Sequence, residues 1–142
     1  MLINYTFPFS LQYTLESGQS FRWKKYCLNE SLCYEGVIGD NIIYLSQDLN
    51  SIHIESSGNS KLIKNHIINY LKLDEDINQV YKNISKDIYI NSAINKYRGM
   101  KILRQDPWEC LISFICSSNS NIKRISKNIE DICIEYGNRI IF

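Results

Sequence analysis

The sequence predicts an α+β fold: an antiparallel sheet first, helices packed against it, then the opening of a separate helical unit. Three observations carry that expectation. Up to Gly58 the chain is built of short alternating segments divided by turn residues, the pattern of a strand meander with one wet face. After Gly58 the apolar residues recur at helical spacing, and helices laid on an antiparallel sheet make an α+β domain. From Asp106 on, a capped apolar helix, a run of small polar residues and a basic amphipathic helix follow one another without a break.

In chain order, Ile3 to Phe7, Gln12 to Leu15 and Ser20 to Tyr26 read as strands. Leu32 to Ile38 and Ile42 to Ser46 are two more, divided by the turn-type cluster Gly39-Asp40-Asn41, and Ser51 to Glu55 alternates around Ile52 and Ile54. Leu62, Ile63, His66, Ile67, Tyr70 and Leu71 share one helical face. Ile77, Val80, Tyr81 and Ile84 form a shorter helix, and Ile90, Ile94 and Tyr97 a third that stops near Gly99. Asp106 suits an N-cap, Pro107 the first helical position, and Glu109 completes the spacing of a capping box. Trp108 to Cys116 is apolar on nearly every side, so this helix expects partners all round. Ile122, Ile125, Ile129, Ile132, Cys133 and Tyr136 make an apolar stripe that ends at Gly137. The expected division is an α+β domain over 1–104 and the start of a helical domain over 105–142, with the chain supplying only its first helices as the N-terminal part of a longer protein. Apolar faces are then expected to be open near Leu111, Phe114 or the Ile129 stripe, which favours self-association.

The bulk numbers exclude several classes. With 142 residues and 44% hydrophobic content a real core is within reach. No run approaches the roughly 18 apolar residues of a membrane span, and MLINYTFPFS lacks a basic segment followed by an apolar one, so a cytoplasmic or nuclear setting is expected. The net charge of +1 carries no global basic signature, so any nucleic-acid footprint has to be local. Five cysteines, an odd number among apolar neighbours, argue against a disulfide framework and are expected to be buried, reduced thiols. The spacing of Cys27 to Cys33, repeated at Cys110 to Cys116, is too wide for a zinc knuckle, and His53 and His66 do not complete one. No metal and no cofactor are expected.

Two segments carry the chemistry: Ser17 to Trp23, SGQSFRW, and Asp106 to Arg124, DPWECLISFICSSNSNIKR. Polar side chains held between two helices, with cations just beyond, suit a site that reaches into something polar and anionic. Taken singly the residues stay ambiguous. Ser17-Gly18 reads equally as a turn, Asn119 as a cap or turn residue, and Arg124 as part of a solvated face.

Together with the meander around YEGVIGDNIIYLSQ and with ILRQDPWECL, these segments resemble the 8-oxoguanine DNA glycosylases, bifunctional repair enzymes of the helix-hairpin-helix superfamily. The resemblance covers nearly the whole chain in order. It implies an N-terminal domain with a twisted antiparallel sheet like half of a TATA-binding protein, followed by helical domains. It implies a duplex DNA partner containing 8-oxoguanine, and contact with the remaining helical domain of the same protein. It assigns the backbone carbonyl of Gly18 to the N7–H of the oxidised base, Asn119 to insertion into the DNA beside the orphaned cytosine, and Arg124 to that cytosine. Asn121 belongs to the same DNA-contacting run. The commonest form of the loop has three consecutive asparagines, whereas Ser120 stands in the middle here and is a candidate cap for the next helix. The family's lysine nucleophile and assisting aspartate match no position in this chain, so no catalytic residue is assigned. Two other readings compete: a stand-alone α+β nucleic-acid-binding module, and a glycosylase of the same superfamily for another damaged base.

Overall fold

The computed structural model describes residues 1–141. Five strands form one antiparallel sheet in the order β1-β5-β4-β3-β2, with β1 Leu2–Asn4, β2 Lys24–Leu28, β3 Ser31–Ile38, β4 Asn41–Gln47 and β5 Ser51–Ser56. Asn29 and Glu30, both at positive φ, make the two-residue turn between β2 and β3, the backbone geometry that tight hairpins prefer. Strand alternation sends Ile3, Tyr34, Ile43, Leu45, Ile52 and Ile54 to one face, where all are buried. The opposite face carries Glu35, His53 and Glu55, which are exposed.

Two helices cover the apolar face. α1 Leu11–Leu15 buries Leu11, Thr14 and Leu15, and α2 Ser60–Tyr70 contributes Ile63 and Ile67 to the same core. α3 Ile77–Ile84 and α4 Ile88–Lys96 sit at the periphery; α4 buries none of its residues. An extended segment, 101–106, then leads into α5 Pro107–Ser117, and α6 Ile122–Tyr136 closes the chain. Among the described residues no helix is long and apolar enough to cross a membrane, and no cluster of ligating side chains can hold a metal.

Four expectations need correction. Gln12 to Leu15 is helical, not a strand. Ser10 accepts a hydrogen bond from the Tyr13 amide as N-cap, and Leu11, Thr14 and Leu15 fall on one helical face instead of alternating. The strand expected from Ser20 begins only at Lys24, because Gln19 to Trp23 are taken up by side-chain contacts to other parts of the chain. The cysteines are free, as expected, but only Cys33 is buried; Cys27, Cys110 and Cys133 are exposed. α5 is not buried all round. Ser113 is its one buried residue, while Trp108, Leu111, Phe114 and Ile115 face outward. Exposure at Leu111 and Phe114 matches the expected open faces; within the Ile129 stripe, Ile125 and Ile129 are buried while Ile122, Ile132, Cys133 and Tyr136 are exposed.

Gly36 shows how tightly the sheet takes up its neighbours. A methyl group built there comes 2.3 Å from the Trp23 ring, so the indole fills the notch that the missing side chain leaves. Gly36→Ala is therefore expected to overpack the site and cost about 1–3 kcal/mol. Urea unfolding of the variant checks this, with an unchanged midpoint as the contrary result.

Candidate nucleic-acid interface

The segment after α1 is held by its own polar side chains. Ser17 donates its hydroxyl to the Thr14 carbonyl at 2.9 Å. The Gln19 amide donates to Ser17 Oγ at 2.8 Å and to the Lys101 carbonyl at 2.9 Å, and Gln19 Oε1 accepts from the Leu103 amide at 2.9 Å. Thr14 Oγ1 accepts from the Lys101 amide. These bonds close the loop onto the strand-like stretch that leads into α5. Ser20 is buried, and the Trp23 indole N–H donates to the Tyr70 hydroxyl at 3.0 Å.

Gly18 lies at the turn of this loop with φ +78, a left-handed conformation that favours glycine. A methyl group built on it meets Ile122 Cδ1 at 3.4 Å. The loop therefore lies beside the first residue of α6, and the two segments singled out in the sequence come together here. Among the described residues nothing hydrogen-bonds the Gly18 carbonyl.

The connection from α5 to α6 is short. Ser117 donates its hydroxyl to the Phe114 carbonyl, and the Ser118 and Ser120 amides bond back to Ile115 and Ser117. Asn119 is exposed with φ +49, a left-handed conformation that asparagine tolerates better than most residues. Asn121, not Ser120, caps α6: its Oδ1 accepts from the Arg124 amide at 3.1 Å. Ser120 instead turns its hydroxyl inward, where it is buried without a partner among the described residues. Asparagine serves as a cap at least as well as serine, and the backbone turns extended at Asn121 as a cap requires. Arg124 is exposed on the first turn of α6. Lys123 is exposed beside it, while Lys127 is paired with Asp131 one turn on.

Two ion pairs tie the end of the Ser17 to Trp23 segment and the start of β2 to the helices, and neither pairing was expected from the sequence. Arg22 faces Glu109 of α5 at 3.7 Å, and Lys24 bonds Glu130 of α6 at 2.9 Å. The capping-box spacing drew attention to Glu109 for another purpose. Asp106 alone caps α5, accepting from the Trp108 and Glu109 amides, while the Glu109 carboxylate turns to Arg22. Burial pushes the Glu109 carboxyl above its ordinary value. The Arg22 guanidinium opposes that shift without overcoming it, and Asp106 adds to it.

The sign of that shift gives a prediction. A carboxyl raised in the folded state contributes stability that is present below its unfolded value and lost as pH rises through its folded value. Glu109→Gln removes this loss. Relative to the parent chain, the variant's melting temperature is expected to be higher at about pH 7 than at about pH 4, with the parent no more stable than the variant at about pH 7. Calorimetry at both pH values checks it; a variant clearly less stable at neutral pH shows instead that the pair is net stabilising.

The comparisons fit this geometry. A family model described as "8-oxoguanine DNA glycosylase, N-terminal domain" matches residues 1–111. The N-glycosylase/DNA lyase of Saccharomyces cerevisiae is 34% identical over 89% of this chain and 36% of its own length. The Arabidopsis thaliana N-glycosylase/DNA lyase OGG1 is 35% identical over 85% of this chain and 34% of its own. The chain thus spans about a third of the length of these curated relatives. Among solved structures, MBOgg1 in complex with a low affinity DNA ligand superposes with TM-score 0.87 at 34% identity, over 99% of this chain and 47% of that one. The Clostridium acetobutylicum 8-oxoguanine glycosylase/lyase, in complex with duplex DNA containing cytosine opposite 8-oxoG, gives 0.85 at 27%, over 100% and 50%. A 3-methyladenine DNA glycosylase from Archaeoglobus fulgidus reaches 0.69 at 11% identity and shows the fold alone. With the family model covering most of its length, and with relatives about a third identical over most of it, the chain belongs to the 8-oxoguanine DNA glycosylase N-terminal domain family.

Proposed function

We propose that this chain is the lesion-recognition part of a base-excision-repair DNA glycosylase/AP lyase that removes 8-oxoguanine opposite cytosine. The observation that carries the reading is the placement of Gly18 beside the start of α6: a methyl group built on it would meet the Ile122 side chain, so a backbone carbonyl without a partner among the described residues lies near the loop holding Asn119 and the helix holding Arg124. Each fits one demand of the chemistry. Guanine N7 accepts a hydrogen bond, whereas N7 of the oxidised base carries a hydrogen and donates. A carbonyl aimed at N7 satisfies the damaged base and opposes a lone pair on the undamaged one. A carbonyl can neither protonate nor rotate away, and a glycine lets it approach closely.

An enzyme that reads a base in this way takes it out of the stack, at a cost of a few kcal/mol. Asn119, exposed at the tip of the loop, is suited to enter the space left behind, since its amide both donates and accepts. Arg124 only donates, which matches the O2 and N3 acceptors of the orphaned cytosine. Asn121 contributes less directly than the resemblance implied, because its Oδ1 is occupied by the α6 cap and only its amide nitrogen is left to meet DNA. Cleavage of the glycosidic bond and the strand falls to residues that have no counterpart in this chain. The protein is expected to work where genomic DNA lies, in the cytoplasm of a prokaryote or the nucleus of a eukaryote.

In the whole protein the outward face of α5 packs against the rest of the helical domain. In the 142-residue chain that face, with Trp108 and Phe114 exposed, drives self-association. Sedimentation is expected to show a concentration-dependent dimer that Phe114→Glu abolishes. A parent chain that stays monomeric at high concentration counters this.

Fluorescence anisotropy at low salt tests the recognition role. The chain is expected to prefer an 8-oxoguanine:cytosine duplex over guanine:cytosine by about five- to a hundredfold, the range set by one unmade buried hydrogen bond. Gly18→Ala removes most of that preference, and Arg124→Ala weakens binding when cytosine is the opposite base. Equal affinity of the parent chain for both duplexes sinks the reading. Borohydride trapping on the damaged duplex should give no covalent adduct, and an adduct places a nucleophile within these residues.

A further inference from the structure

We infer that Gln19 is a positioning residue: its carboxamide sets where the Gly18 carbonyl stands relative to α6. The inference rests on the reading of Gly18 given above. A primary amide has two hydrogens to donate, and Gln19 spends them on Ser17 Oγ at 2.8 Å and the Lys101 carbonyl at 2.9 Å. The Thr14 carbonyl, at 3.4 Å, takes a weaker share. Its oxygen accepts from the Leu103 amide at 2.9 Å. The first bond lies inside the loop, one residue before Gly18. The other two short bonds reach residues 82 and 84 positions away, on the extended segment that runs directly into α5.

The consequence is geometric. Gly18 has no side chain to hold itself, and its carbonyl has no partner among the described residues. Its left-handed backbone is fixed from either side, by Ser17 on Thr14 and by Gln19 on Lys101 and Leu103. An acceptor meant to tell one hydrogen on a base from its absence has to be held to a few tenths of an ångström, and such precision comes from a supporting hydrogen-bonded shell. Gln19 also registers the loop against the stretch of chain that leads directly into α5. The lesion-facing carbonyl, the loop carrying Asn119 and the helix carrying Arg124 then move as one piece. Leu103 is itself buried, so the anchor on that side is rigid.

Gln19→Glu is the sharpest variant. It keeps the length of the side chain and the acceptor for Leu103, but a carboxylate cannot donate to Ser17 or Lys101. Two readouts are needed. The first is the nuclear Overhauser effect between the Gly18 α-protons and the Ile122 δ1 methyl, with core methyl shifts as the control for folding. The second is the ratio of affinities for 8-oxoguanine:cytosine and guanine:cytosine duplexes. The expected result is a weakened or lost cross-peak with core shifts unchanged, and a ratio reduced by about tenfold or to unity. Affinity for the undamaged duplex should change less than about twofold, since loss of general structure lowers both affinities alike. Gln19→Met, which keeps the reach and removes every bond, gives the same comparison if the glutamate variant fails to fold. A cross-peak at parent intensity in the folded variant, or its absence in the parent chain, overturns the inference. If the cross-peak is lost while the ratio holds, Gln19 positions Gly18 as inferred, and it is the assignment of Gly18 as lesion sensor that falls.

Discussion

The carboxamide of Gln19 closes two stretches of chain that are more than eighty residues apart in sequence. Much of the site depends on that closure. The Gly18 loop is too short to carry a core of its own, and the hydrogen bonds of Ser17 and Gln19 are local except where Gln19 reaches Lys101 and Leu103. Beyond the loop, Trp23 settles into the notch at Gly36 and bonds Tyr70, so the end of the segment is fixed to the sheet and to α2. One end of the segment is thus registered to the chain entering the helices and the other to the sheet core. The intervening residues, Ser20 to Arg22, have little freedom left. Lys101, whose carbonyl takes the Gln19 bond, is itself anchored: its ammonium donates to the Lys72 and Glu75 carbonyls. Burial lowers its proton affinity, and nearby Glu75 and Asp74 counter that effect.

The ion pairs add orientation more than energy. Lys24 and Glu130 are well exposed, and an exposed pair is worth about 0–1 kcal/mol. Arg22 and Glu109 are more shielded, and there burial of the carboxylate outweighs the attraction of the guanidinium. A pair that costs about as much as it returns still selects one arrangement of two surfaces, because other arrangements leave a shielded charge unpaired. With one pair to α5 and one to α6, the segment between Gly18 and β2 is referenced to both helices that flank the Asn119 loop.

Much of this was legible in the sequence. The sheet strands from Leu32 to Glu55 and all five later helices fall where alternation and helical spacing placed them, since tertiary contacts there follow the local pattern. α1 was misread because Gln12 to Leu15 is only four residues long, too short for either period to declare itself, and the Ser10 cap is the signal that could have decided it. Burial of α5 was overestimated because apolar composition tells how much surface wants cover, not which face obtains it. The buried face is marked by Ser113, a small residue that composition alone does not single out. Gln19, Arg22 and Trp23 stood in a quoted motif, but their partners at Lys101, Glu109 and Tyr70 lie far along the chain. Long-range pairs of that kind leave no local trace. Locally Ser17-Gly18 reads only as a turn, and it is the family resemblance that singles out Gly18 within the motif.

The loop between α5 and α6 divides its work among three adjacent residues. Asn121 spends its side-chain oxygen on the cap of α6, which fixes the direction of the helix and therefore of Arg124. Ser120 is turned into the protein, its hydroxyl shielded and without a partner among the described residues, so the position calls for a small inward group more than for a polar surface. Asn119 alone is exposed in the left-handed conformation, with its amide free to meet whatever approaches. A serine in place of the middle asparagine of the usual run therefore changes the packing under the loop and leaves the outward residue as it was. Because φ at Asn119 is positive, a β-branched residue there would strain the backbone, while glycine would keep the turn and lose the amide. The loop's shape and its reach are in this way set by different atoms, and one can be altered without the other.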